Sequence, residues 1–413
     1  MLRLLTENIL DREERIMAEW IEKSLGEIAE ITKLAGFEFT KYIEYNNDGE
    51  VIALRALNLR NGELDLTDIK RISRKVSDGL TRSKIYKDDI LLTYTGNGYG
   101  DCAIIEENDK YHLAPNICKI VPNKNVISPY YLYCYIRSKA FYNQMSNNMT
   151  GSGQPTIPMK TIRLLKIPVP ELRVQVNIAN MLWLLNQKIR NNKVINNNLE
   201  QQAQAIFANE FLSLDTIPEG WKQASLIDIA DYLNGLAMQK YRPTADEIGI
   251  PVLKIKELRQ GCCDDNSELC SPSIKSDYII HDGDVIFSWS GSLLVDLWCG
   301  GICGLNQHLF KVTSSKYDKW FYYAWTKHHL DRFVTVAADK ATTMGHIKRD
   351  ELAKAEVLIP NETDYNRIGA LLQPIYEMII SNRIENKKLA ATRDTLLPKL
   401  MNGEIDMSEV DYE

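Results

Sequence analysis

Hydroxyl and amide side chains set among glycines recur at four places in this 413-residue chain. They are Thr95, Asn97 and Tyr99 in KDDILLTYTGNGYGD, Ser152, Gln154 and Thr156 in NNMTGSGQPTIP, Ser290 and Ser292 in HDGDVIFSWSGSLLVD, and Lys340, Thr342 and Thr343 in AADKATTMGH. Two basic residues, Arg55 and Lys254, stand at similar places in the strand-like runs VIALRALNLRNGEL and PVLKIKELRQG. Such groups suit the reading of a nucleic acid: amides match adenine edges, Lys and Arg match guanine or phosphate, and hydroxyls and backbone amides take phosphate. Any one polar loop residue is better explained by solvation alone. The recurrence of whole loops in both halves of the chain favours recognition.

Covalent chemistry finds little support. Gly96, Gly98 and Gly100 in TGNGYG imitate a nucleotide loop, but GxGxxG is not matched and no helix start follows. GxxxxGK[ST] is missing, as is the Asn/Asp-Pro-Pro-aromatic motif of amino-methyltransferases. The six histidines are scattered, without a nucleophile or carboxylate at motif spacing. Cys262, Cys263, Cys270, Cys299 and Cys303 lack the paired CxxC spacing of a zinc site, so neither a metal nor another cofactor is expected.

The elements that must carry the tips come in two copies. Trp20 in WIEKSLGEI matches Trp221 in WKQASLIDI, Asp89 matches Asp284, Gly96 matches Gly291, and Asn116 in APNICKIVP matches Asn306 in GLNQHLFKV. A turn residue, a four-residue apolar run and a glycine-containing tip indicate a strand ending in an exposed loop. The aromatic helices SPYYLYCYIRSKAFYNQM and YDKWFYYAWTKHHLDRF read as packing elements. Each copy closes on a short strand, and proline then precedes a long helix.

Those helices organise the chain. Val174 to Phe211 has no glycine or proline and is apolar at Leu182, Leu185, Ile189, Leu199 and Ile206; Tyr365 to Leu400 repeats it 190 residues on, with Leu372, Ile375, Ile379, Leu389 and Leu396 on its stripe. The periodicity predicts two amphipathic spacer helices paired as an antiparallel coiled coil, with Asn192, Asn196, Asn382 and Asn386 in the seam, where amides fix register at a cost in stability. The expected order is a leader helix at 1–19, a globular domain at 20–170, a spacer helix at 171–213, a second domain at 214–360, a second spacer at 361–402 and a tail at 403–413. The fold class is α+β, with an internal pseudo-two-fold repeat.

Net charge is −6, unevenly spread: residues 20–170 hold 20 Lys and Arg against 17 Asp and Glu, and residues 214–360 hold 16 against 20. A nucleic-acid surface would therefore have to group its cations on one face or share the load with a partner. The thiol content and the absence of a long apolar run point to a cytoplasmic protein with no membrane partner.

The run TLLPKLMNGEID, Thr395 to Asp406, resembles the terminal signature of the DNA-specificity subunits of type I restriction-modification systems. The Trp-x-x-x-x-Leu-x-Asp/Glu-Ile openings, the runs at Asp89 and Asp284 and the duplicated layout resemble that family along nearly the whole chain. The resemblance implies a non-catalytic subunit with two target-recognition domains, each reading half of a bipartite site in double-stranded DNA. It also implies helices that dock two methyltransferase subunits, and a complex joined by restriction subunits. The chain departs from the pattern where the first copy of the signature is AIFANEF, and where the first opening is Met-Ala-Glu-Trp against Pro-Glu-Gly-Trp in the second. Two competitors are a coiled-coil interaction scaffold without DNA specificity, which leaves the duplicated globular units unexplained, and a self-sufficient restriction enzyme, whose motifs are missing.

Overall fold

A computed structural model describes residues 20–151, 153, 155–339, 349–408 and 410. The chain divides into two compact units, one made of residues up to Gln187 together with those from Ala390 onward, the other of Lys188–Leu389. The leader at 1–19 lies outside the described residues.

In the first unit, strands β1 (Ile21–Ser24), β2 (Ala29–Lys33) and β3 (Val51–Leu54) are followed by the short hairpin β4 (Leu59–Arg60) and β5 (Glu63–Leu64). Next come β6 (Lys70–Ile72), β7 (Lys84–Ile85), β8 (Ile90–Thr93), β9 (Cys102–Ile104), β10 (Tyr111–Leu113), β11 (Ile117–Pro122) and β12 (Lys166–Val169). They form an antiparallel sheet ordered β2-β11-β8-β9, a mixed sheet ordered β6-β3-β10-β7 whose β3 and β10 run parallel, and the ribbon β1-β12. β3 and β8 are buried throughout, as their unbroken apolar runs require of strands covered on both faces. Helices α1 (Leu25–Ile28), α2 (Gly36–Tyr42), α3 (Arg74–Gly79), α4 (Pro129–Ile136), α5 (Lys139–Asn147) and α6 (Met159–Leu164) complete the unit before the first long helix, α7 (Leu172–Phe207).

The second unit repeats the three sheet orders without the hairpin β4-β5. Its strands are β13 (Lys222–Ser225), β14 (Asp231–Asn234), β15 (Ile250–Leu253), β16 (Leu269–Cys270), β17 (Ile279–Ile280), β18 (Val285–Ser288), β19 (Leu294–Leu297), β20 (Cys303–Leu305), β21 (Leu309–Thr313) and β22 (Glu356–Ile359). They pair in the orders β14-β21-β18-β19, β16-β15-β20-β17 and β13-β22. The helices are α8 (Leu226–Ile229), α9 (Ile255–Gln260), α10 (Lys319–His328), α11 (Leu330–Asp339), α12 (Arg349–Ala353) and the long α13 (Glu362–Met401). The aromatic helices pack inward: Tyr131 and Phe141 in one unit, and Trp320, Phe321, Tyr323 and Trp325 in the other, are buried.

Both long helices contribute to each unit. Leu182, Leu185, Leu372, Ile379 and Leu396 are buried and Ile189, Leu199, Ile206, Ile375 and Leu389 half-buried, so the stripe read from the periodicity is the packed face. In the second unit the asparagines occupy the seam. Asn192 donates to Asn386 Oδ1 at 2.9 Å and to Glu385 Oε2 at 2.6 Å, while Asn382 donates to Asn196 Oδ1 at 2.8 Å. Asn196 and Asn386 reach the backbone carbonyls of Ile379 and Ile189. The crossed pairing, 192 with 386 and 196 with 382, is what two repeated helices give when they run antiparallel. Arg383 ties the pair to the sheet by donating to Asp296 and Leu297 O on β19 and to Glu200 on α7.

The seam makes a sharp prediction. Asn192 is only 1 % exposed, and Asn192→Asp would replace its donor with a carboxylate facing Glu385 and the Asn386 carbonyl. A buried charge without a partner costs about 3–5 kcal/mol. We expect a matching loss in urea unfolding at pH 7, partly regained below about pH 5, where a shared proton restores a donor. Unfolding equal to the parent at pH 7 would place the amide outside the seam.

In the first unit, residues from 390 onward close the fold. Arg393 donates to Asn186 Oδ1 at 3.0 Å, Asn177 donates to Met407 O and Val410 O, and Gly403, at φ 78°, sits so close to the Trp20 ring that a β-carbon would lie 3.2 Å from it. In the second unit Trp221 packs on Phe211 and donates from Nε1 to Asp364. The sequence predicts helix through Phe211; α7 ends at Phe207, and a π-helical turn, Ala208–Leu212, carries Phe211 into that aromatic core.

Candidate nucleic-acid interface

The tip of the first unit is built where β8 gives way to β9. Gly96 and Gly100 both have φ 88°, a left-handed conformation open to glycine at little cost, and they turn the loop so that Gly100 donates back to Thr93 O. A second loop, 60 residues away in sequence, joins it: Gly96 donates to Pro155 O at 2.9 Å, Ile157 donates to Tyr94 O at 3.0 Å, and Thr95 bridges Thr156. Thr156 also exchanges two backbone bonds with Thr150. The structure thus gathers Thr95, Asn97, Tyr99 and Thr156 in one place, with Asn97 exposed. Ser152 and Gln154 belong to the same stretch but lie outside the described residues.

Tyr99 does not stand alone. Its ring stacks on Tyr142 from α5, with centroids 5.3 Å apart and planes 16° apart, and the Tyr142 hydroxyl donates to that of Tyr99 at 2.7 Å. Sequence reasoning missed Tyr142 by reading its helix as packing. The signal was there, because Phe141 and Met145 take the buried face and leave Tyr142 outside. Lys33 was also missed; its ammonium lies 5.2 Å from the ring centre of Tyr94 at the base of the tip.

The second tip has the same plan with other residues. Trp289 takes the place of Tyr94, stacks on Phe310 and donates to Asn234, which matches Lys33 at the end of the corresponding sheet strand. Gly291, at φ 66°, makes the turn. Ser292 is exposed, whereas Ser290 is buried, with its hydroxyl 3.0 Å from His308 Nδ1. Ser290 therefore braces the tip from inside. Thr93 and Ser288, the last residues of their strands, are buried as well. Lys340, Thr342 and Thr343 lie outside the described residues.

The two bases sit beside the tips. Arg55 follows β3, which reaches the first tip through the bonds of Ala114 to Leu54 O and of Tyr94 to Asn116 O. Lys254 follows β15, which Asn306 joins in the same way, and Gly291 faces Ile255. Both bases are held by acids, Arg55 by Asp68 at 3.1 Å and Lys254 by Glu268. The acid's pKa is pushed down in Glu268, first by its hydrogen bond to Lys254. Asp89 and Asp284, which read as turn residues, accept the N–H of Tyr86 and His281 and lie beside Lys119 and Lys311. Among the described residues no group of His, Cys, Asp and Glu could hold a metal, and no helix is long and apolar enough to cross a membrane.

Each unit also carries a cleft where its long helix meets its aromatic helix. The first, of about 700 Å³, is lined by Val176, Ala179, Asn180, Trp183 and Gln187 of α7 and by Ser128 and Tyr130. The second, of about 330 Å³, is lined by Asn366, Gly369, Ala370, Gln373 and Glu377 of α13 and by Asp318 and Trp320, the same positions 190 residues on. The walls differ. Leu172, Val176 and Trp183 are 42, 41 and 46 % exposed, against Glu362, Asn366 and Gln373 at the matching positions.

The family model for the type I restriction modification DNA specificity domain matches residues 17–201 and 218–391, one match per repeat. The MjaIX specificity subunit of Methanocaldococcus jannaschii is 26 % identical over 426 residues, covering 96 % of either chain. The EcoKI specificity subunit of Escherichia coli is 23 % identical over 341 residues, covering 77 % of this chain and 70 % of its own. In fold the chain is similar to the crystal structure of a type I S subunit from M. genitalium, with TM-score 0.61, 12 % identity and coverage of 94 and 98 %. Two matched domains, repeated sheet orders and paired long helices place this chain in the family of type I restriction-modification specificity subunits, non-catalytic proteins that recognise the DNA target.

Proposed function

We propose that the units at 20–170 and 214–360 are independent target-recognition domains, each reading one half of a bipartite site in double-stranded DNA through its tip loops. Residues 171–213 and 361–402 then set the distance between the half-sites, with 1–19 and 403–413 as leader and tail. The observation that carries this is the duplicated tip, a glycine turn over an aromatic ring contacted from the edge strand of the same sheet, built from Tyr94 and Lys33 in one unit and Trp289 and Asn234 in the other. One framework with different side chains suits two half-sites of different sequence. The eight unpaired thiols fit a cytoplasmic setting.

The repeated clefts support two docking positions for methyltransferase subunits, with restriction subunits joining the complex. The test is co-expression with the methyltransferase and sequencing of the modified genome. We expect a motif of two short blocks with a fixed gap, and no modification without this chain. A single uninterrupted motif would overturn the reading. Trp183→Ala, at the exposed wall of the larger cleft, should lower methyltransferase capture by a factor of about 10 or more, as loss of an interface anchor does. Thermal stability should stay within about 0.5 kcal/mol, because the ring is half-exposed. Unchanged capture would remove this cleft from the interface.

A further inference from the structure

The bases beside the two tips share a device. Arg55 is followed 13 residues later by Asp68, whose carbonyl accepts from Nη2 at 2.7 Å and whose carboxylate lies 3.1 Å away. Lys254 is followed 14 residues later by Glu268, which holds its ammonium and also, at 3.0 Å, the guanidinium of Arg242. In each case a buried polar residue three positions after the base fixes the loop bearing the acid. Asn58 accepts the Arg55 N–H and donates to Asp65 O and Asp68 O, both at 2.8 Å. Glu257 accepts the Lys254 N–H and the hydroxyl of Ser267, the residue before Glu268. Arg, Asp and Asn in one unit and Lys, Glu and Glu in the other produce one arrangement.

Folding does not need it. Asp68, Lys254 and Glu268 are 64, 37 and 41 % exposed in their side chains, so solvent screens these pairs, and ordering two long side chains offsets what attraction is left. Nor is the resting state fully satisfied: Arg55 Nε is buried without an acceptor among the described residues. What the acids do is cancel, beside each tip, the cations that phosphate would seek.

We propose that Asp68 and Glu268 are electrostatic latches that keep Arg55 and Lys254 from DNA until target-specific contacts displace them. The proposal rests on the DNA-reading role of the tips. A random duplex offers only its backbone, and displacing the acid offsets that contact; the target adds base-edge contacts that open the latch. The latches thus suppress binding to the wrong sequence more than to the right one.

The experiment uses the chain assembled with its methyltransferase, binding either a duplex carrying its modified motif or a random duplex, over a range of salt. Asp68→Asn and Glu268→Gln should each tighten random-duplex binding by roughly 3- to 10-fold near 100 mM salt and steepen the log–log salt dependence, by about one freed cation for Asp68→Asn and about one to two for Glu268→Gln, since Glu268 holds both Lys254 and Arg242. Target binding should gain less, so discrimination falls. The gain from Asp68→Asn should vanish in an Arg55→Ala background. Random-duplex binding and salt slope equal to the parent would overturn the latch, as would a gain that persists without Arg55. A parent complex with no preference for its own motif would instead sink the DNA-reading role itself.

Discussion

Replacing residues 20–170 with the matching segment of a specificity subunit that reads another target should change one half of the methylated motif and leave the other half intact. Each unit has its own sheets, and among the described residues the hydrophobic clusters that are seen draw on one unit each, with Leu54, Leu91 and Leu113 in the first and Phe287, Phe310 and Phe333 in the second. One domain can therefore be exchanged without repacking the other. The effect on specificity is large, because each mismatched base pair costs about 1–3 kcal/mol and a half-site of several pairs discriminates by roughly 10³ or more. The graft must keep an aromatic ring at position 20, where Gly403 packs, and a partner for Arg393 remains because Asn186 lies outside the segment. Genome-wide mapping of modified bases reads the result directly. A hybrid whose motif changed in both halves would show that the units do not read independently.

The second large effect concerns spacing. The units divide between Gln187 and Lys188 on α7 and between Leu389 and Ala390 on α13. A four-residue insertion at both points adds about 6 Å to each helix and turns it only about 40° beyond a full turn, so the apolar stripe largely survives. The Asn192–Asn386 and Asn196–Asn382 pairs stay in register, because they lie wholly within one unit. At 3.4 Å per base pair, the gap between unchanged half-sites should lengthen by one to two pairs. Two inserted residues rotate each helix by about 200°, which should turn the stripe out to solvent and abolish modification. If the four-residue variant remains active with the original gap, the helices do not set the spacing.

Much of this architecture was legible because repetition doubles the signal. The stripe through Leu182, Leu185, Leu372 and Ile379 follows from period alone, and the seam asparagines from their place on it. The matched tips at Gly96 and Gly291 could be located because glycine, turn acid and apolar run recur in order. Side-chain direction was less accessible. Ser290 and Ser292 stand two apart, a spacing that puts both on one face of extended chain, and only the turn at Gly291 separates them, leaving Ser290 against His308 and Ser292 exposed. The acids opposite Arg55 and Lys254 were invisible for another reason: they lie 13 and 14 residues away in loops whose course depends on Asn58 and Glu257. Tyr142 reached the first tip from a helix with no sequence link to it.

The closure of the first unit by residues from 390 onward sets an order for events on the ribosome. At about 5–20 residues per second, the roughly 200 residues of the second unit take on the order of 10–40 s to synthesise. The amino-terminal unit, made first, is finished last. Throughout that interval Trp20 lacks the backbone of Gly403, Asn177 lacks the carbonyls of Met407 and Val410, and the apolar stripe at Ile178, Leu182 and Leu185 has no partner helix. Nascent chains are thus held in a half-built, sticky state for a time set by translation, and a nonsense codon near 390 would disable the domain farthest from it in sequence.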